Sequence, residues 1–284
     1  MTFPLRFLVF AVILLVALAA APAPADKPTT EQVLSRLTSS IENLKTLRCN
    51  VRAQERLADN KYQQARTAMK MAFSPLKVYL RNQKGIEVLW VTGQNSGDAW
   101  VNPNSFPYVT LNLDPNGSVM RRNQHHSVLN AGFGTFADLI QGSSLRQDHA
   151  YERSFRYTGD SIVGGRACHV LRSDFPQFRY ITYKTTKPES IARIADRFGC
   201  GEYRIMERNN LTAEELVPAG KTLQVPNSYG RRTIVCVDLK TFLPAVVQVN
   251  DDKGLFEKFE FSDVVANQPI PAAEFAKDFK GYKF

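Results

Sequence analysis

Residues 188–199, PESIARIADRFG, read as a compact helix in a chain whose neighbouring segments read as strands. Ile191, Ile194, Ala195 and Phe198 recur at helical spacing and form one apolar stripe. Thr186 and Glu189 stand at capping-box spacing, Pro188 sits in the first turn, and Gly199 follows as a helix-stopping glycine. Tyr203, Met206 and Asn210 predict a second short helix on the same core. The flanks, YITYK at 180–184 and TLQVP at 222–226, alternate as strands. A strand–helix–helix–strand unit over residues 180–226 therefore interrupts a strand-rich host.

The host begins with an amphipathic helix, TTEQVLSRLTSSIENLKTLR from residue 29, with a capping box at Thr29 and Gln32. Its apolar stripe is Val33, Leu34, Leu37, Ile41 and Leu44. The period then changes to two. Leu47, Cys49, Val51, Ala53 and Leu57 alternate with polar residues, and Ala65, Thr67, Met69, Met71 and Phe73 do the same. Further short strands follow between turn signals, and connections this short demand antiparallel pairing. A looser zone from Asp114 to Asp148 contains a short helix expected around Phe136–Ile140. Three strands after the insert and a short C-terminal helix around AAEFAKDF complete the pattern. The predicted class is α+β: one sheet of many long antiparallel strands, opened by a helix, with an inserted βααβ unit. The apolar face of such a sheet is filled by helices or holds an apolar ligand.

The N-terminus limits the function classes. Phe7 to Ala21 carries no polar residue, a run of about 15 that fits a signal-peptide core and falls short of the ~18 expected of a spanning helix. Ala23-Pro24-Ala25 places the expected cleavage after Ala25, giving a periplasmic or secreted protein with no stable transmembrane anchor. The net charge of +9 in 284 residues suits anionic partners, but export argues against nucleic acid and for wall polymers or lipid head groups. The expected domains are a signal peptide at 1–25, a discontinuous host at 26–179 and 227–284, and the insert at 180–226.

Catalytic and metal signals are sparse. There is no G-x-S-x-G, H-E-x-x-H or glycine-rich phosphate loop. There is no C-x-x-C, and His125, His126, His149 and His169 do not pair with the cysteines at ligand spacing. No catalytic residue, metal or cofactor is expected. His125-His126 reads as surface or loop packing, and the pairs Arg121-Arg122 and Arg231-Arg232 as solvated charge or as contacts to anionic polymer or lipid head groups.

The insert resembles the LysM domain over its whole length. The landmarks are Tyr180-Ile181, Ile191, Ile194-Ala195, Phe198-Gly199, Asn209-Asn210-Leu211, Pro218, Gly220, Leu223 and Val225-Pro226. The resemblance implies binding of glycans that contain N-acetylglucosamine, such as peptidoglycan, in a shallow groove between two loops. One implied wall is Thr186, Pro188, Glu189, Ser190 and Ile191; the other is Asn210, Leu211, Thr212 and Leu216. The family's usual Gly-Asp-Thr in the first loop is Pro188-Glu189-Ser190 here.

The host resembles an uncharacterised bacterial exported family, itself similar to LolA/LolB-type lipoprotein carriers. Its landmarks are Glu55-Arg56, Ser74-Pro75 with Lys77-Val78-Tyr79-Leu80, Gly85, Glu87-Val88, Leu113-Asp114-Pro115 and the C-terminal run from Phe259 to Phe284. This resemblance implies a curved half-barrel that holds lipid or a lipidated partner. Insertion at a hairpin tip would set Cys168 and Cys236 on neighbouring strands, where they form a disulfide or remain buried free thiols. The expectation is a non-enzymatic, peptidoglycan-binding exported protein. A lipid or lipoprotein shuttle with a vestigial LysM and a wall-modifying enzyme targeted by LysM are the alternatives.

Overall fold

The computed structural model describes residues 27–106, 108–134, 136 and 152–284. The expected signal peptide, His149 and residues 137–140 of the expected central helix lie outside the described residues. Among those described, no helix is long and apolar enough to cross a membrane.

Helix α1 (Thr30–Glu42) starts as its sequence dictates. Thr29 accepts from the Gln32 amide, and the Gln32 side chain accepts from the Thr29 amide. Its Val33, Leu37 and Ile41 face inward. Strands β1 (Thr46–Arg56), β2 (Tyr62–Phe73), β3 (Leu76–Asn82), β4 (Glu87–Val91), β5 (Ala99–Asn102) and β6 (Leu111–Leu113) then form a meander. After the short helix α2 (Ser118–Arg121) come β7 (Phe155–Val163) and β8 (Arg166–Asp174). The insert follows as β9 (Tyr180–Lys184), β10 (Glu189–Ser190), α3 (Ile191–Phe198), α4 (Glu202–Asn209), β11 (Leu216–Val217) and β12 (Thr222–Pro226). Strands β13 (Arg232–Asp238), β14 (Pro244–Asp251) and β15 (Gly254–Ala266) return to the host.

The host forms one 11-stranded sheet in the order β6-β5-β4-β3-β2-β1-β15-β14-β13-β8-β7. It stays open, with β6 and β7 as its edges. Direct pairing of β1 with β15 joins the meander to the second half. Leu47 and Cys49 of β1 pair with Met71 and Met69 of β2, so the alternation read from the sequence becomes one continuous inner face. Helix α1 and Phe133 pack on that face, and Phe133 meets Phe261 at 4.7 Å between ring centroids.

The insert sits at the tip of the β8–β13 hairpin. Asp174 faces Arg232 in the host ladder, and Tyr180 faces Pro226 in the insert's own ladder. Asn227 pins the neck between them. Its side chain accepts from the Arg179 amide at 3.0 Å and donates to the Gln177 carbonyl at 2.9 Å. The insert is not a pendant module, because its Ile191, Ile194, Tyr203, Ile205, Met206, Leu223 and Val225 belong to the same apolar cluster as the host core.

Two expectations need correction here. The first helix of the insert begins at Ile191, not near Pro188, and Ser190 caps it through the Arg193 amide. Glu189 cannot serve a capping box because its residue pairs with Val217 in a two-residue ladder. Of the two alternatives for Cys168 and Cys236, the disulfide does not form, and both are buried thiols. Register explains this. Cys168 faces Asp238 and Cys236 faces Val170, so the two thiols are diagonal neighbours. Diagonal pairs stand about 7–8 Å apart, too far for the ~3.8 Å that disulfide Cβ atoms need. Burial pushes the Cys236 thiol up to about 11 and Cys49 to about 12.

The C-terminal segment forms a single turn, Ala272–Phe275, rather than the expected helix. It then crosses the outer face of β3 and β4. Tyr282 stacks on Tyr79 at 4.0 Å, and Phe275 joins Tyr79, Leu89 and Val91. Glu274 locks the segment by accepting from Arg48 at 2.6 and 2.9 Å and from Lys70 at 2.7 Å. These bonds, the Arg48 bond first, hold its carboxyl down at about 2 against an ordinary 4.5. A depressed carboxyl stabilises the folded chain above its unfolded value, and the contribution is lost as pH falls through the folded one. Glu274→Gln is therefore expected to cost about 1–3 kcal/mol near neutrality. The gap from wild type should shrink between pH 4.5 and 2 in denaturant titrations; a gap independent of pH would refute this role.

Candidate functional site

The two implied groove walls meet in the structure. Ser190 of β10 pairs directly with Leu216 of β11, so the β9–α3 loop and the segment after α4 lie side by side. Thr185 ties them together. Its hydroxyl donates to the Pro218 carbonyl at 2.6 Å and accepts from the Lys221 amide at 3.0 Å. Asn210 ends α4 in the left-handed region (φ 57°, ψ 46°), which turns the chain into the second wall. Host contact braces that wall, since the Glu214 carboxylate accepts from the Ser118 amide.

Thr186, Pro188, Ser190, Asn210, Thr212 and Leu216 are exposed along these loops, Leu216 at 61%. Hydroxyls, one carboxamide and two apolar side chains are suited to an N-acetyl group and a sugar face. Three other implied residues differ. Glu189 is buried; it accepts from the Tyr183 hydroxyl and from Arg197 at 2.5 Å. The Arg197 bond holds its carboxyl below the usual range. Ile191 is fully inside the core, and Leu211 packs half-buried against it. Glu189 and Ile191 therefore build the loop instead of offering side chains to a sugar.

Helix α4 docks the module onto the host. The Tyr203 hydroxyl accepts from the Ala58 amide at 3.1 Å, and Glu202 pairs with Arg121 at 3.1 Å. Arg121 is thus buried in an ion pair, not solvated as the sequence suggested. Arg204 is fully buried. Its guanidinium lies over Phe256 at 3.7 Å, donates to the Tyr229 carbonyl, and stands 4.0 Å from Asp251. Asp251 also takes two bonds from Arg56, one of them at 2.9 Å. Burial alone would raise the Asp251 carboxyl; Arg56 and Arg204 overcome it and lower it.

Beside this interface lies a second buried polar group that the sequence reading did not assemble. Glu55 of β1 and Glu257 of β15 are directly opposite in register, at 5% and 0% exposure. His125 is inserted between Tyr203 at 4.3 Å and Phe256 at 4.1 Å. Its Nδ1 is 2.8 Å from Glu257 and 4.0 Å from Glu55, and its Nε2 is 2.9 Å from the Arg56 carbonyl. His126 Nε2 is 3.1 Å from Glu257, and the Tyr229 hydroxyl donates to Glu257 at 2.7 Å. Burial opposes the charge on Glu257, but His126 and His125 reverse that and depress its carboxyl strongly. Burial likewise opposes charge on His126, and Glu257 outweighs it and raises the imidazole. One signal was available: Glu55 and Glu257 each continue an otherwise apolar alternation, after Val51 and Ala53 on β1 and before Phe259 and Phe261 on β15.

The site thus belongs to an open 11-stranded antiparallel sheet that carries a two-loop βααβ insert. A LysM domain model matches residues 183–226. A second model, described as "Protein of unknown function (DUF1571)", matches residues 44–187, half of the chain, and the chain belongs to that family. Among solved structures it is similar to LprF from Mycobacterium bovis, with TM-score 0.42, 12% identity, and 85% of this chain and 95% of that one covered. LppX from Mycobacterium tuberculosis gives 0.39 and 11%, covering 84% and 96%. The Pseudomonas aeruginosa MucA/MucB complex gives 0.40 and 12%, covering 87% of this chain and 60% of that chain. The chain thus spans about 60% of the length of the chain it matches in that complex. No curated protein matches by sequence.

Proposed function

We propose that this is an exported, non-enzymatic protein that binds peptidoglycan, or a related N-acetylglucosamine glycan, through its LysM insert. The observation that supports it is the meeting of the two loop walls, with Thr186, Ser190, Asn210, Thr212 and Leu216 exposed along the junction. A single shallow site lacks the avidity of linked copies, so binding is of modest strength. The fixed docking of α4 gives the groove a set orientation relative to the half-barrel. What the wall holds is then an oriented carrier-like domain, not a loosely tethered one.

The test is co-sedimentation with insoluble peptidoglycan. Wild-type protein is expected in the pellet. A Thr212→Arg, Leu216→Asp double variant changes only exposed side chains, so it should fold normally and move to the supernatant with at least about tenfold weaker binding, the loss of roughly 1.4 kcal/mol. Equal pelleting of both proteins would sink the proposal. A lipid or lipidated partner in the half-barrel is the second reading. It is favoured by the apolar inner face formed by Leu47, Met69, Met71, Val247 and Phe261. Mass spectrometry of organic extracts of the purified protein tests it, and a clean extract would argue for a core filled by α1 and Phe133. Incubation with peptidoglycan should release no muropeptides.

A further inference from the structure

We infer that Glu55, Glu257 and His125 form a site for one divalent transition-metal ion of the zinc class, at the seam between half-barrel and module. Their ligand atoms lie within 4.8 Å of one another, and all three residues are buried. Ligands about 2.0–2.2 Å from a zinc ion stand roughly 3–4 Å apart. The His125 Nδ1 separations of 2.8 and 4.0 Å from the two carboxylates bracket that spacing.

Three features favour a cation over a purely structural hydrogen-bond cluster. The two carboxylates oppose each other directly in register and are both buried, so two anionic oxygen donors converge at one place. The His125 Nε2 faces a backbone carbonyl, which selects the tautomer with the proton there and leaves the Nδ1 lone pair aimed at the carboxylates. Tyr229 donates to Oε1 of Glu257 and so orients the carboxylate from its far oxygen, as an outer partner orients a metal-bound one, while His126 Nε2 meets the same Oε2 that faces His125. Both nitrogens of His125 face oxygen atoms, Nδ1 the carboxylate of Glu257 and Nε2 the Arg56 carbonyl, and an ion at Nδ1 would take the place of the contact there. One imidazole with two carboxylates suits zinc, manganese or ferrous iron better than calcium or magnesium, which prefer all-oxygen shells. The sequence concealed the site because its ligands are 70 and 132 residues from His125.

The consequence is mechanical. The metal would clamp the His125 loop to β1 and β15, and the His125 ring carries Tyr203 of the docking helix. The test uses EDTA-treated, tag-free full protein titrated with Zn²⁺ by calorimetry in two buffers of different ionisation enthalpy. One ion per chain, proton release and a higher melting temperature with Zn²⁺ are expected; Co²⁺ should give a visible ligand-field band. Glu55→Gln should weaken Zn²⁺ binding by more than about 100-fold while the variant keeps its circular dichroism. Glu257→Gln is the second variant. If it does not fold, Glu55→Gln and the wild-type titration decide alone. Substoichiometric uptake by wild type overturns the site. So does equal uptake by Glu55→Gln, which would mark adventitious binding elsewhere on the chain.

Discussion

Asp251→Asn is expected to lower the stability of the whole chain by about 3–5 kcal/mol, the usual cost of removing one partner from a buried ion pair. Asp251 is the shared anion of two buried guanidinium groups. Arg56 reaches it from β1, and Arg204 from the LysM helix. Asparagine keeps the shape but leaves both cations without a counter-charge. Arg204 is poorly placed to tolerate this, because its Nε and Nη2 make no hydrogen bond among the described residues, and aromatic rings flank the guanidinium. At about 2–4 °C per kcal/mol, the melting temperature should fall by roughly 6–20 °C. Asp252→Asn, one residue along and exposed, should stay within about 0.5 kcal/mol of wild type. The folded Asp251 carboxyl is depressed, so its contribution exists above the ordinary aspartate range and disappears as pH falls. The gap between wild type and Asp251→Asn should therefore close in acid. A variant that melts with wild type at neutral pH would show that the buried charges are not coupled.

The readable parts of this chain were those fixed by local spacing. Period two in β1 and β2 gave the inner face, because side-chain alternation is a property of the strand itself. The Thr29–Gln32 capping box and the Gly199 left-handed stop (φ 58°) are equally local. The hairpin-tip insertion followed from a unit whose own ends pair, and the Asp174–Arg232 and Tyr180–Pro226 registers bear it out. What spacing could not supply was contact between distant segments. Glu189 satisfies the helix-cap pattern in sequence, yet Arg197 and Tyr183 claim its carboxylate inside the module. His125 looks like a loop histidine until Tyr203 and Phe256 close on it. Arg204 looks like an exposed helix arginine beside Tyr203, and only the docking of α4 on β14 and β15 buries it. Each depends on where the insert folds back, which no window of the sequence specifies.

Replacing residues 180–226 by a short turn is the most severe change considered, and the host is expected not to survive it intact. A tethered module at a hairpin tip would leave the β8–β13 ladder closed and the host melting as before. Here excision strips Tyr203 from His125, Arg204 from Phe256 and Asp251, and Glu202 from Arg121. Arg121, otherwise buried, loses its carboxylate, and Phe178, Tyr229 and Phe256 lose apolar cover. Loss of the Arg204 contacts alone should cost about 3–5 kcal/mol, and the uncovered aromatics add to it. The excised host should melt at least about 10 °C lower than the full chain and become sensitive to proteolysis. Arg204→Met separates the two contributions. It keeps the packing and leaves Asp251 paired with Arg56, so it should fall between wild type and the excised form. If the excised host melts within a few degrees of the full chain, the module is an independent appendage and the continuous core has no energetic meaning. If it collapses as expected, glycan binding must be tested by point variants in the groove, because deleting the module would remove the folded host along with it.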